Sequence, residues 1–301
     1  MRLDAFEVHE PIPELHNTCV IAVLRPWINV GRVGTQILTR LKRHLDAKEL
    51  GRLARPGNFY DFTRYRPRTR MVNGRRVLTI PNTIVHYAHD DEGDRDYLFL
   101  EMREPHANGE DYADAVVNLL KRFEVTEYCG IGGMYDSVPH TRPLLVTGNL
   151  TKDQEERAKG LVSTRQSTYQ GPTSIANLVS QAQANSDVIT TSLMARLPQY
   201  LQLEEDHMGA ARLMEVLCAL YGFPISLADS AGGEKQYQEI GLTAENNKPG
   251  VKELIRELER YYDQGIASRQ SQEQSDVSLS PEVTSFLEEM GERLDEGKET
   301  Q

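Results

Sequence analysis

Ser137, His140 and Arg142 follow an apolar run at 127–132 that predicts a buried strand. In α/β folds ligands bind beyond the carboxyl ends of such strands. His140 and Arg142 could therefore hold an anion, and the serine with the histidine could suggest a hydrolase. No G-x-S-x-G elbow accompanies them and no third acid is assigned, so we expect no catalytic residue here. The alternative, which we favour, is a rigid turn fixed by prolines.

A second candidate site lies between the first predicted strand and the first predicted helix. Asn29, Gly31, Arg32 and Gly34 occupy this turn. The free N–H groups and dipole of a helix N-terminus attract anions. The spacing is G-x-x-G, however, which is neither the dinucleotide fingerprint nor a phosphate-binding loop. The alternative is a tight turn whose glycines let the helix pack on the strand.

A third candidate is a row of arginines at every second position of a segment that the sequence predicts to be extended over 62–72: Arg64, Arg66, Arg68 and Arg70. In a strand all four would project from one face. Like charges on one face need water or acids as neighbours. The row therefore predicts either an interface with an acidic partner or a solvated edge strand protected from sheet-to-sheet pairing.

Composition limits the classes of protein that the chain can represent. It has 301 residues, 39% hydrophobic and 26% charged, as in soluble globular proteins. No run of eighteen apolar residues predicts a membrane span. A net charge of −11 disfavours nucleic-acid binding as a function. The N-terminus has no signal-peptide pattern, and we expect a cytoplasmic protein.

The cysteines and histidines point to no metal or cofactor. Cys19, Cys129 and Cys218 are far apart, lie in apolar stretches and read as buried thiols in a reducing compartment. No C-x-x-C or H-E-x-x-H pattern predicts a zinc site.

Strand and helix patterns alternate along most of the chain. A strand at 17–25 is followed by a helix, then by a β-rich insert near 50–90 that contains the turn Asn73-Gly74, and then by further α/β units. This order predicts a three-layer α/β sandwich with a mixed, largely parallel central sheet, similar to phosphorylase and hydrolase folds.

The C-terminal quarter of the sequence predicts a helical section. We expect one domain over residues 1–264 that is helical from 226, then a flexible linker at 265–279 rich in Ser and Gln, and a short helix at 280–295. The apolar face of that helix includes Phe286, Leu287 and Met290. It is too short to be stable alone in water, so we expect it to dock on the body or on a neighbouring subunit.

Several ordered segments resemble the PAC2 family of proteasome-assembly-chaperone-like proteins. They are the Pro26-Trp27 loop, the RDYLFLEM strand at 95–102, Gly132-Gly133 with the VPHTRP segment at 138–143, the Gly171-Pro172 turn and the SLMARLPQYL segment at 192–201. The family's first loop commonly carries an Asp where Asn29 lies, and a His where Gln199 lies. The chain also lacks the C-terminal hydrophobic-Tyr-X sequence with which some archaeal relatives dock on proteasome rings.

The resemblance implies a non-enzymatic, chaperone-like binding or assembly scaffold with unknown protein partners. It also implies a homo-oligomer, and a trimer is our expectation because related phosphorylase-type folds form trimers. The alternative is an enzyme or sensor for a small anionic ligand, such as a nucleotide or phosphosugar, bound by the two loop sites together.

Overall fold

The computed structural model describes residues 1–90, 95–164, 170–184, 186–247 and 250–277. Twelve strands lie in these ranges: β1 (Arg2–Leu3), β2 (Phe6–Val8), β3 (Thr18–Arg25), β4 (Lys48–Leu53), β5 (Arg68–Val72), β6 (Arg75–Thr79), β7 (Ile84–Asp90), β8 (Arg95–Arg103), β9 (Val125–Asp136), β10 (Val146–Asn149), β11 (Val162–Ser163) and β12 (Ile189–Pro198). Seven α-helices accompany them: α1 (Val33–His44), α2 (Gly109–Arg122), α3 (Lys152–Arg157), α4 (Ile175–Ala184), α5 (His207–Tyr221), α6 (Ser230–Asn247) and α7 (Val251–Val277).

Ten of the strands form one mixed sheet in the order β1-β2-β4-β7-β8-β3-β9-β12-β10-β11. Its central strands β8, β3, β9 and β12 are parallel, whereas β1, β2, β4 and β7 on one side pair antiparallel, as does β10 with β12 on the other. β3 and β8 are almost wholly buried, which explains why their sequences are continuous apolar runs rather than alternating ones.

Helices cover both faces of this sheet. On one face α1 and α5 pack against alternate residues of the central strands, such as Ile21 and Ile131. On the other face α2 and α4 pack against the intervening residues, such as Val20 and Tyr128. The predicted three-layer α/β sandwich with a mixed central sheet is therefore confirmed.

β9 continues past the glycines at which the sequence predicts its end. Gly133 N–H donates to the Ile28 carbonyl at 2.8 Å, and a Cβ on Gly132 would lie 2.1 Å from that same oxygen. The glycines thus mark where the loop after β3 crosses β9, and they do not end the strand. β9 remains paired with β12 as far as Asp136.

The predicted strand at 62–72 is too long, because it begins only at Arg68. Asp61 organises the preceding residues into a turn: its carboxylate accepts the Thr63 N–H and hydroxyl at 2.7 Å each, and its carbonyl accepts the Arg64 N–H at 3.1 Å. Asp side chains that bond the backbone two residues ahead favour turns over strands.

Residue contacts divide the chain into two compact units, 1–244 and 245–301. The sandwich forms the first unit. In the second, α7 runs through 265–277, where the sequence predicts a flexible linker. The composition of the segment permits a helix, because it contains Ala, Arg, Gln and Glu, which are good helix formers, and no proline. The helix expected at 280–295 lies outside the described residues.

Candidate functional site at the carboxyl edge of the sheet

The turn after β3 uses its polar residue to brace the start of α1. The Asn29 side chain is buried; its Oδ1 accepts the Thr35 N–H at 3.2 Å and its Nδ2 donates to the Thr35 hydroxyl at 2.8 Å. Asn29 thereby satisfies one of the free N–H groups in the first turn of α1, where an anion was one of the two predicted possibilities.

Gly31 and Gly34 allow close packing around this turn. Gly31 has φ 58°, and a Cβ there would lie 2.5 Å from the Cβ of Asp206. Gly34 faces Val23, whose Cγ2 would lie 2.4 Å from an added Cβ. Both positions exclude a side chain, so they fit the tight-turn interpretation.

Arg32 is half-exposed at the outer side of the same turn. Its guanidinium forms an ion pair with the Glu205 carboxylate at 2.5 Å. The positive charge of Arg32, which belongs to the anion site that the sequence suggests, is therefore already paired with a neighbouring acid.

His140 lies in the segment after β9 and is buried against two tyrosines. The Tyr200 hydroxyl accepts the His140 backbone N–H at 2.9 Å and lies 2.6 Å from the ring Nδ1. On its other side the ring contacts Tyr237, with centroids 6.0 Å apart. The imidazole is thus enclosed by aromatic side chains from two further parts of the chain.

Ser137 does not share that enclosure. It is exposed, and its backbone N–H donates to Asp136 Oδ1 at 2.7 Å. Arg142 is partly buried. The segment therefore turns the serine outward and the histidine inward.

Asp206 joins the two predicted loop sites. Its N–H donates to the Gly31 carbonyl at 2.8 Å, and its Oδ2 accepts the hydroxyl hydrogen of Tyr237 at 2.9 Å. The Tyr237 ring in turn packs on His140. The structure thus links the loop at 29–34 to His140 through an aspartate and a tyrosine that the sequence analysis does not single out.

Burial changes the pKa of the Asp206 carboxyl. Although Asp206 Oδ1 caps α5 by accepting the Gly209 N–H at 2.7 Å, desolvation raises the pKa of the carboxyl above its ordinary value. Burial also raises the pKa of Tyr237 far above its ordinary range. The sequence gives only a weak signal for the residues that meet at this site. Asp206 precedes a helical pattern, as an N-cap residue would, and Tyr200 lies near the end of the segment at 192–201.

The arginine row does not occur as predicted. Arg68 and Arg70 lie in β5 and share one face, but Arg64 and Arg66 belong to the Asp61 turn and its exit. The Arg64 guanidinium lies 3.9 Å from the Asp61 carboxylate. Phe286, Leu287 and Met290 lie outside the described residues.

β5 and β6 form a hairpin separate from the ten-stranded sheet, and every residue of both strands is exposed. Cross-strand pairing puts Arg68, Arg70 and Arg75 on one face with Val72 and Val77. The opposite face carries Met71 and Leu78, which are 67% and 59% exposed. The hairpin thus presents both positive charge and apolar area to its surroundings.

Two further features are absent from the described ranges. No group of three or more His, Cys, Asp or Glu side chains there could hold a metal ion. Nor does any helix in those ranges have the length and apolar character needed to cross a membrane.

The layers and the carboxyl-edge loops define a three-layer α/β protein with a mixed sheet. The model of the PAC2 family matches residues 23–239. Because the match covers well over half of the chain, this protein belongs to the PAC2 family, as the sequence motifs indicate.

Solved structures share the fold at low sequence identity. A Corynebacterium glutamicum protein of unknown function is 18% identical with a TM-score of 0.75, covering 87% of this chain and 97% of its own. A Streptomyces avermitilis PAC2 family protein is 21% identical with a TM-score of 0.69, covering 79% and 99%. A Mycobacterium tuberculosis proteasome-assembly chaperone homologue is 22% identical with a TM-score of 0.68, also covering 79% and 99%. No curated protein matches the chain significantly.

Proposed function

We propose that this PAC2 protein is a non-enzymatic, chaperone-like assembly scaffold that self-associates and binds protein partners in the cytoplasm. Family membership supports the proposal, and one protein of the same fold is described as a proteasome-assembly chaperone homologue. The braced arrangement of Asn29 and His140 also supports a structural role for the predicted loop residues.

The observation that carries the proposal is the exposed hairpin β5–β6. Single exposed apolar residues are ordinary, but here Met71, Val72, Val77 and Leu78 are all at least 43% exposed within ten strand residues. Clustered apolar area bordered by charge is typical of protein-interaction surfaces.

The distribution of charge along the chain favours a second copy of this chain as the partner of the hairpin. Residues 52–76 contain eight arginines and one acid, which leaves the remainder of the chain at −18, with 26 basic against 44 acidic residues. A positive hairpin on an otherwise acidic chain is complementary to the surface of another copy. Such complementarity steers association and fixes the docking geometry.

Light scattering after size-exclusion chromatography tests this. We expect the full chain to elute at a multiple of 34.1 kDa, with three copies as our expectation. Replacing both Met71→Ser and Leu78→Ser should shift the mass toward the monomer, because the apolar face of the hairpin is lost.

The matched control is Ile225→Ser, which removes an apolar side chain of similar exposure, 67%, outside the hairpin. We expect it to leave the mass unchanged. A wild-type chain that is monomeric at micromolar concentration would contradict self-association, and an oligomer that survives the double substitution would contradict the hairpin's role.

A further inference from the structure

Two arginines end neighbouring parallel strands at the centre of the sheet. Arg25 is the last residue of β3 and Arg103 the last of β8, and they are direct partners in the strand register. Adjacent strands lie about 4.8 Å apart, so two guanidinium groups start from neighbouring backbone positions.

The chain leaves these two strands in opposite directions. β3 leads into α1, which packs on one face of the sheet, and β8 leads into α2, which packs on the other. The diverging loops make the gap between the two strands a topological switch point, and ligands of open α/β sheets bind in the crevice at such points.

Positive charge exceeds negative charge around this point. The Glu101 carboxylate pairs with Arg25 at 3.0 Å and also with Lys42. The Arg103 guanidinium lies over the Tyr65 ring, 5.2 Å from its centroid, and forms no ion pair within the described ranges. Three cations thus share one paired carboxylate.

The arginines have hydrogen-bonding capacity left over. The Nε atoms of Arg25 and Arg103 are buried with no hydrogen-bond partner in the described structure. Both side chains are otherwise partly exposed, so solvent reaches other parts of them. Burial and the neighbouring charge of Arg25 lower the pKa of Arg103.

A further acid, Glu104, follows Arg103 in the chain. Its Oε1 accepts the Ile175 N–H at 2.9 Å, its Oε2 is buried without a hydrogen-bond partner in the described structure, and burial raises its pKa. His86, on the Glu101 side of the cluster, has its pKa lowered by burial and by Lys42.

We propose that Arg25 and Arg103 form a binding site for a small oxyanion, a phosphate or carboxylate group, at the switch point between β3 and β8. Guanidinium groups donate paired N–H bonds that match both kinds of oxyanion. The bound anion would offset the repulsion between the two arginines. This site differs from both loop sites that the sequence predicts, and it does not depend on the proposed protein partner.

Isothermal titration calorimetry on the full chain tests the site, with sodium phosphate and sodium citrate as separate titrants at constant ionic strength. We expect saturable binding of one anion per chain. The titrant that binds identifies the group as phosphate or carboxylate. Arg103→Gln should weaken binding at least about tenfold. Glu101→Gln should strengthen it, because the competing carboxylate for Arg25 is removed.

The matched control is Arg122→Gln, which removes an exposed arginine at the end of α2, outside both the proposed site and the hairpin, and should leave affinity unchanged. If circular dichroism shows that Arg103→Gln is unfolded, Arg103→Lys keeps the charge but loses the paired donors, and it should also weaken binding. The proposal is overturned if neither titrant binds saturably at millimolar concentration, or if binding is the same in the folded Arg103 variant.

Discussion

Asp206 is the residue through which the carboxyl-edge loops are connected. Its backbone bonds Gly31, one carboxylate oxygen caps α5 and the other accepts from Tyr237. A buried carboxylate needs such partners, because an unsatisfied one has a large desolvation cost. Packing and helix capping therefore account for the loop residues that the sequence offers as candidates for ligand binding.

Tyr237→Phe should destabilise the protein by about 1–3 kcal/mol at neutral pH, because buried Asp206 loses a donor. The cost should depend on pH. Burial raises the pKa of Asp206 above 3.8, so its protonation stabilises the fold at low pH and this contribution is lost as pH rises through the folded pKa. Tyr237 supports the charged form, so its loss should cost little near pH 4 and more at pH 7.

Urea unfolding of the wild type and the variant at both pH values measures this difference. Tyr135→Phe, at a position 38% exposed, is the control and should change stability little at either pH. A destabilisation by Tyr237→Phe that is equal at pH 4 and pH 7 would argue against the Asp206 contact as its cause.

Helix α3 shows how one local motif positions a buried side chain, that of Gln154. The Thr151 hydroxyl accepts the Gln154 N–H at 3.3 Å, and the Gln154 side chain accepts the Thr151 N–H at 2.9 Å, which forms a capping box. Gln154 also donates to buried Glu127 at 2.8 Å. The cap thus ties a six-residue helix to the amino-terminal part of β9.

Thr151→Ala should destabilise the protein by about 1 kcal/mol, because the capping oxygen is removed. Thr151→Ser keeps that oxygen and should stay within a few tenths of a kcal/mol of the wild type. Thermal or urea unfolding of the three proteins is the measurement, and equal losses for the two variants would contradict the capping role.

At the scale of the whole molecule, charge is distributed unevenly. The segment 52–76 is strongly basic, whereas the chain as a whole carries −11. Association between copies through opposite charges weakens with salt, because the Debye length falls from about 10 Å at 0.1 M to about 3 Å at 1 M.

We therefore expect the proposed oligomer to dissociate more readily at 1 M than at 0.1 M sodium chloride, as measured by light scattering across a dilution series. Arg68→Gln combined with Arg70→Gln should weaken association at low salt and reduce its salt dependence. An oligomer that is stronger at high salt would indicate that apolar contact alone holds the copies together.

The sequence by itself determined the layers of the sandwich, because buried parallel strands are continuous apolar runs and amphipathic helices repeat every three to four residues. It also determined the Asn73-Gly74 hairpin turn and the family. It did not determine where β5 begins, because alternating arginines imitate a strand while Asp61 forms a turn. It also predicted a linker where α7 continues to Val277.

Only the tertiary structure decided which side chains meet. Asp206 and Tyr237 reach Gly31 and His140 from distant parts of the chain, and Arg25 becomes the neighbour of Arg103 because β3 and β8 pair in register. Contacts of this kind depend on strand order and on the face that each helix covers, which a single sequence does not encode locally.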